Sequence, residues 1–225
     1  YQCDWSSDVC SSDLDIVIGK QQLADPATLR LKQVAGSARQ LIAEFTSVTA
    51  ATSYTLSITG TGYNATLLNY NSGDVISGLN PGESYTVSIV ANGDTTYYEP
   101  SSGTSTASAS TNPAATAVTA ITLPASVNKT TGQTYTYSVS PSTSDGGTLS
   151  YQWQSSTNNL TFADMAGKNS NTLTFTNTST ADTGYYRIVV TNTLNGETAT
   201  TSSSVSNLIV APTLEIAAPV SGLTG

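Results

Sequence analysis

The 225-residue sequence contains no histidine, one methionine and two cysteines, and only 10% of its residues are charged. The missing imidazole excludes histidine-based catalytic triads and most transition-metal sites. No apolar run approaches the roughly 20 residues of a membrane-spanning helix. Only 7 basic residues stand against 15 acidic ones, which argues against nucleic-acid or anionic-membrane binding. We therefore expect no cofactor, no metal and no nucleic-acid partner.

Both cysteines lie among the first 14 residues, where positions 4–14 read DWSSDVCSSDL. This stretch resembles the translation of a common sequencing-library adapter, so we expect residues 1–14 to be an artefact and exclude them from fold reasoning. Setting aside Cys3 and Cys10 removes disulfide, zinc-thiolate and cysteine-nucleophile chemistry from the remainder. Such a scar is typical of an open reading frame assembled from environmental DNA.

Motifs of known catalytic sites are also missing. The sequence has no Gly-x-Ser-x-Gly elbow, phosphate-binding loop or dinucleotide fingerprint. A glycosidase needs two carboxylates held across a cleft, whereas the acidic residues are scattered along this chain, without the spacing of a calcium-binding loop. We predict that the protein is not an enzyme.

In place of charge, the chain is rich in threonine, serine, asparagine and glycine, and its apolar residues alternate regularly. Threonine and tyrosine suit exposed strands, and alternation is typical of half-buried strands. About 210 residues after the adapter-like stretch fit two sandwiches of about a hundred residues each. We predict an all-β protein of two tandem Greek-key β-sandwiches. A thiol-free chain of this composition favours a bacterial extracellular or cell-surface location.

Two motifs in the second half carry most of the fold information. Trp153 lies in a Tyr-Gln-Trp-Gln strand, and an Asp-x-Gly-x-Tyr corner follows at Asp182, Gly184 and Tyr186. Together they resemble the immunoglobulin fold, in which a buried tryptophan packs on a disulfide and a corner tyrosine precedes the second cysteine by two residues. The resemblance implies a sandwich over residues 119–211.

The cysteines of that family are absent here. The resemblance implies that Val139 and Ile188 occupy the two cysteine positions, where β-branched apolar side chains can fill the space of the disulfide. It also implies that Trp153 packs on them and that Tyr186 returns its hydroxyl to the backbone near Asp182. These residues are structural, and none is a catalytic candidate.

The first half contains Leu79-Asn80-Pro81-Gly82-Glu83-Ser84-Tyr85. A Leu-x-Pro-Gly turn that leads to a buried tyrosine resembles the E–F corner and F strand of fibronectin type III domains. The resemblance implies a core role for Leu79 and Tyr85. Phe45 stands where that family commonly has tryptophan, at the end of a predicted strand over residues 40–45. The next strand is predicted over residues 53–58.

These patterns divide the chain into segments. We predict an adapter-derived stretch (1–14), a leader or linker strand (15–25), a fibronectin type III-like sandwich (26–109), a linker (110–118), an immunoglobulin-like sandwich (119–211) and a tail or the start of a further domain (212–225). The last segment echoes Ile121-Thr122-Leu123, which favours a tandem array. In the second sandwich we predict strands over residues 121–123, 134–139, 150–154, 172–176, 184–191 and 199–210.

Ligand contact is predicted at Tyr97 and Tyr98. They lie in the segment 92–100, the F–G loop of the first sandwich, and such loops commonly carry recognition. Paired tyrosines can stack on sugars or anchor a protein interface. The alternative is that one or both pack the loop against the sheet.

Three functions fit the sequence. The leading hypothesis is a non-enzymatic cell-surface adhesin or stalk, whose partner is a surface protein or glycan. The second is a subunit of an extracellular filament, in which residues 15–18 or 214–220 pair as a donor strand with another copy of the chain. The third is the accessory region of a secreted glycan-degrading enzyme.

Overall fold

The computed structural model describes residues 19–103 and 105–214. Strands dominate their regular structure, and the all-β class predicted from the sequence is confirmed. The adapter-like stretch, residues 15–18 and residues 215–225 lie outside the described residues. Within the described residues, no helix is long and apolar enough to cross a membrane.

The described chain divides into two compact units. One consists of residues 19–32, 42–76 and 84–109, and the other of residues 33–41, 77–83 and 110–214. We propose residues 26–109 and 119–211 as the two domains, with a linker at 110–118. Val118, at the end of that linker, is 6% exposed and belongs to the core of the second unit.

The strands described up to residue 110 vary in length from two to ten residues. They are β1 (Gln21–Gln22), β2 (Arg30–Gln33), β3 (Leu41–Glu44), β4 (Ala51–Gly60), β5 (Tyr63–Leu68), β6 (Val75–Ile76), β7 (Ser84–Gly93), β8 (Tyr98–Glu99) and β9 (Ser105–Ser110).

These strands form two main sheets, with orders β2-β3-β6 and β5-β4-β7-β9. Strand β4 is antiparallel to both β5 and β7. A further short pair, β1 and β8, is parallel. The main sheets bury alternate residues, because successive side chains of a strand point to opposite faces. Leu79 and Tyr85 are buried, at 0% and 1% exposure, as is Phe45.

The second half of the chain forms β10 (Ser126–Thr130), β11 (Tyr135–Ser138), β12 (Thr148–Ser156), β13 (Ala163–Asp164), β14 (Thr172–Phe175), a 3-10 helix (Thr180–Asp182), β15 (Gly184–Leu194), β16 (Glu197–Ser202) and β17 (Ser206–Ala211). One sheet has the order β10-β17-β15-β12-β13, with β16 also paired to β15, and the other consists of β11 and β14.

The predicted strand at Ile121–Leu123 is wrong. The backbone there bonds to a single serine: Ser204 N–H donates to the Ile121 carbonyl at 3.0 Å, and the Leu123 N–H donates to Ser204 Oγ at 2.8 Å. Pro124 follows and cannot donate to a ladder. The ladder therefore begins later, as β10, which runs parallel to β17. The side chains of Ile121 and Leu123 are nevertheless buried in the core.

One continuous strand was predicted over residues 199–210, and the structure has two. Strand β16 pairs with the distal part of β15, and β17 with its beginning. Between them the Ser203 hydroxyl accepts the Ile188 N–H at 3.0 Å, while the Ser203 N–H donates to the Ile188 carbonyl at 2.9 Å. A side chain thus replaces a backbone acceptor where the strand breaks.

Trp153 lies at the centre of the second unit and is fully buried. Its indole N–H donates to the Ser170 carbonyl at 2.9 Å, so burial leaves no unpaired donor. Its cross-strand neighbour is Ile188, and the Tyr137 ring lies 5.6 Å away, centroid to centroid. Val139 is also buried, at 6% exposure. Aromatic and β-branched packing therefore forms this core without a thiol.

The Asp-x-Gly-x-Tyr segment forms a hydrogen-bonded corner. Tyr186 Oη donates to the Asp182 carbonyl at 2.8 Å. The Asp182 carboxylate accepts the Ser179 N–H at 2.7 Å, and this bond caps the N-terminus of the 3-10 helix that precedes β15. Burial, reinforced by the nearby Asp182 charge, raises the pKa of Tyr186 to about 12. Gly184 lies close to the Ser156 carbonyl, 3.2 Å from where a Cβ would stand.

Truncation of the central tryptophan tests this core. We expect Trp153→Ala to cost about 3–5 kcal/mol, a large part of the 5–15 kcal/mol typical of a domain, and so to lower the melting temperature of the second sandwich strongly while the first melts as in the wild type. Circular dichroism melting is the measurement. Leu160→Ala, at a side chain that is 84% exposed, is the control. An unchanged second transition would contradict the assignment.

The corner predicts a dependence on alkaline pH. A tyrosine titrates near pH 10 in the unfolded chain and near 12 in this fold, so its stabilising contribution is complete below pH 10 and is lost as the pH rises towards 12. Tyr186→Phe should reduce this alkaline loss and cost about 1 kcal/mol at neutral pH through the missing hydrogen bond. Urea midpoints at neutral and alkaline pH measure both effects, and Tyr97→Phe should match the wild type.

Candidate functional site

The two loop tyrosines lie in different surroundings. After β7 the chain turns at Asp94, whose carbonyl accepts the N–H groups of Tyr97 at 3.0 Å and Tyr98 at 2.8 Å. Tyr97 is 66% exposed, while Tyr98 is half-buried. The alternative of packing against the fold therefore applies to Tyr98, and Tyr97 presents its ring to solvent.

The turn that carries the tyrosines is fixed by Asp94. One of its carboxylate oxygens accepts the Thr96 N–H at 2.8 Å. Hydrogen bonds from the backbone and side chain of Thr96 lower the pKa of Asp94 below its usual value. The Asp94 carboxylate therefore stabilises the turn and already accepts hydrogen bonds from within it.

The leader segment holds the same loop from its other side. The Gln21 N–H donates to the Tyr97 carbonyl at 2.9 Å, and the Leu23 N–H donates to the Glu99 carbonyl at 3.1 Å. Lys20 and Glu99 form an exposed ion pair at 3.3 Å. The described part of the predicted leader strand thus pairs within its own unit, as β1 against β8.

A cavity of 460 Å³ opens beside Tyr98. Its lining contains carboxamides, hydroxyls, aliphatic groups and one carboxylate, from Gln21, Gln22, Leu23, Ala24, Asp25, Ala27, Thr46, Ser47, Val48, Thr49, Ala50 and Tyr98. The carboxylate of Asp25 accepts the Gly103 N–H at 2.8 Å. The cavity therefore combines polar and apolar groups, contains a single carboxylate, and includes Tyr98 in its lining.

The loop 46–50, which the sequence did not indicate, also lines the cavity. The Thr46 N–H donates to the Ala27 carbonyl at 3.0 Å, and the Val48 N–H donates to Tyr54 Oη at 2.7 Å. The Tyr54 ring packs on Phe45 with centroids 4.6 Å apart. A tyrosine in a strand gives no sequence signal that its hydroxyl will fix a neighbouring loop.

Gly93 allows Tyr98 to approach the sheet. A Cβ at position 93 would lie 2.9 Å from Tyr98 Cβ, 3.2 Å from Leu23 Cδ1 and 3.3 Å from the Ala50 carbonyl oxygen. These neighbours include backbone and a Cβ, which cannot rotate away. Gly93, the last residue of β7, therefore has a packing function that the sequence does not reveal.

The cavity lining offers hydrogen-bonding groups, aliphatic groups and one carboxylate. The described residues contain no group of three or more acidic or cysteine side chains able to hold a metal ion. The cavity lining contains one carboxylate and no basic side chain. The remaining predicted residues, Trp153, Val139, Ile188, Asp182, Gly184 and Tyr186, lie in the core and corner of the second unit, and Leu79 and Tyr85 are buried.

The packing of Gly93 gives a direct test of the site's geometry. We expect Gly93→Ala to displace Tyr98 and destabilise the first sandwich by about 1–3 kcal/mol, the usual cost of overpacking. Hydrogen exchange at the Leu23 amide, which bonds to Glu99, and thermal melting are the measurements. Gly19→Ala is the control, because no atom lies within 4 Å of its added Cβ. Equal protection in both variants would contradict this account.

Residues 102–212 match the model of a family described as "Domain of unknown function (DUF8696)". No curated protein matches the chain.

The similar solved structures are tandem fibronectin type III and immunoglobulin-like domains. A two-domain fibronectin type III segment of chicken tenascin is 15% identical, with 80% of this chain and 98% of that one covered at a TM-score of 0.32. A three-immunoglobulin segment of titin is 14% identical, with 84% and 66% covered at 0.39. Three N-terminal domains of the bacteriophage RB49 highly immunogenic outer capsid protein are 14% identical, with 80% and 66% covered at 0.40.

Proposed function

We propose that this chain is a non-enzymatic, modular adhesive protein of a bacterial cell surface, and that it binds a neutral oligosaccharide at the loop end of its first sandwich. The observation that carries the proposal is the cavity between the leader segment, the loop 46–50 and Tyr98. Its hydroxyl and carboxamide groups are the donors and acceptors that sugar hydroxyls require. The second sandwich serves as a spacer in this arrangement.

Aromatic placement supports the same ligand class. Tyr98 belongs to the cavity lining, while the neighbouring Tyr97 is 66% exposed. An aromatic ring combines an apolar face with a polar edge and so suits the C–H surface of a sugar. The lining, with mixed polar and apolar groups and one carboxylate, suits an uncharged ligand better than a nucleotide or an acidic peptide.

Hydrogen bonds fix the loops around the cavity, which favours a preformed binding site over one that closes around its ligand. Hydrogen bonds from β1 hold the Tyr97 and Glu99 carbonyls, and Tyr54 fixes the loop 46–50. A preformed site loses less conformational entropy on binding than one that must be ordered by its ligand. The accessory region of a glycan-degrading enzyme, a second candidate function, is favoured by the same cavity, and the neighbouring genomic sequence distinguishes it from an adhesin.

Glycan-array binding followed by titration tests the proposal. We expect Tyr97→Ala to weaken binding about tenfold, whereas Tyr97→Phe retains the ring and most of the affinity. Thr49→Trp, which places a bulky side chain in the cavity lining, should abolish binding. Leu160→Ala, a truncation of an exposed apolar side chain in the second sandwich, is the matched control.

Two results would overturn this assignment. If no glycan binds and a surface protein is captured instead through Tyr97, the loop end is a protein-binding site. If Tyr97→Ala and Thr49→Trp bind a glycan as the wild type does, the ligand site lies elsewhere in the chain.

A further inference from the structure

We propose that two copies of this chain associate by pairing their β5 strands, edge to edge and antiparallel, into one continuous sheet. This proposal is independent of the glycan site. It differs from donor-strand exchange, because each copy keeps all its own strands. Strand β5 is the outermost strand of the order β5-β4-β7-β9, and no other described strand pairs with its outer edge.

The sheet that ends in β5 has an unusual composition. Strands β4, β5, β7 and β9 contain no Asp, Glu, Lys or Arg. Natural sheets commonly protect an edge with charge, proline, a bulge or a very short strand. Strand β5 reads Tyr-Asn-Ala-Thr-Leu-Leu over six residues and has none of these features. Its register with β4 is regular throughout.

Other described edges are protected or short. Strand β2 carries Arg30 and Lys32, and β10 carries Lys129. Strands β6 and β13 have two residues each, and β11 and β14 have four. Strand β9 is as long as β5, but the Gln33 carboxamide donates to its Ser110 carbonyl at 3.0 Å. Strand β16 has six residues but carries Glu197. Strands β5 and β9 are therefore uncharged six-residue edges, and of the two β9 accepts a side-chain hydrogen bond at its last residue.

Hairpin geometry determines which backbone groups face outward. Strands β4 and β5 are joined by a two-residue turn, and Gly60 pairs with Tyr63. Such a turn closes on a hydrogen-bonded pair, and bonded and non-bonded pairs then alternate. Asn64, Thr66 and Leu68 are consequently in the non-bonded pairs with β4. Their N–H and C=O groups point away from β4, towards the free edge.

These groups are self-complementary about a two-fold axis at Thr66. In antiparallel pairing, Thr66 lies opposite Thr66 of the second copy, and Asn64 lies opposite Leu68 in both directions. Each outward residue then exchanges both its N–H and C=O bonds with its opposite number. Threonine pairs across strands are favourable, and no like charges meet. A two-fold interface of this kind closes and yields a dimer.

An exposed apolar side chain also marks this edge. Leu68, at the end of β5, is 73% exposed. Pairing covers part of this surface. A single strand edge buries less area than a standard interface, so we expect a reversible dimer that forms with increasing concentration.

Sedimentation equilibrium of the full chain, from micromolar to millimolar concentration, tests the proposal. A reducing agent prevents crosslinking through Cys3 and Cys10. We expect a monomer–dimer equilibrium in the wild type. Thr66→Lys places two like charges opposite each other and should raise the dissociation constant at least about tenfold. Thr66→Pro removes an outward N–H only, so it should also weaken the dimer and leave the hairpin intact.

Matched variants separate pairing from misfolding. Thr59→Lys makes the same change on the same sheet face, but in β4, which is paired on both sides, and should dimerise like the wild type. Thr66→Lys mixed with Thr66→Glu should restore the dimer, because opposite charges then meet. A wild type that stays monomeric at millimolar concentration would overturn the proposal, as would equal association of Thr66→Lys and Thr59→Lys.

Discussion

Burial of alternate side chains on one face of each sheet is the constraint on which this structure depends. The described residues contain no cysteine, so no disulfide bond can help to hold the sheets together, and they contain few charged residues that could form ion pairs. In the second unit, Trp153, Tyr137 and Ile188 form the centre of the core, and the tryptophan N–H is paired to the Ser170 carbonyl. Packing of aromatic and β-branched side chains therefore takes the place of the inter-sheet disulfide of immunoglobulin domains. The corner at Tyr186 then fixes where the last long strand enters this core.

The small number of charged residues affects the core, the cavity and the sheet edge in different ways. Inside the sandwiches it avoids the cost of burying charged groups, and at the loop end of the first sandwich it leaves a cavity with a single carboxylate, where we propose an uncharged ligand. At the free edge of β5 it leaves strand-pairing groups without the usual protection. The proposed glycan site and the proposed dimer thus arise from one compositional trait, although they use different surfaces.

Prediction from the sequence was strongest where a periodic pattern and a turn signal agreed. The alternation before and after Trp153 located β12 and β15 to within a few residues, and Leu-x-Pro-Gly located the start of β7. It was weakest where a side chain forms a hydrogen bond that a backbone group forms in a regular strand. Ser203 and Ser204 accept or donate ladder bonds near Ile188 and Ile121, so one predicted strand was wrong and another is broken in two. Serine carries no local signal for that role, because its partner is distant in the chain.

The sequence by itself determined the all-β class, the tandem sandwiches and the thiol-free core, since these follow from periodicity, turn chemistry and composition. Tertiary structure alone decided the candidate site. It separated the exposed Tyr97 from the half-buried Tyr98, fixed the loop 46–50 through the Tyr54 hydroxyl, and paired the leader with β8. It also decided which uncharged strand lies at an open edge. These features depend on contacts between residues that are far apart in the chain. The local sequence pattern does not predict which distant groups will come into contact.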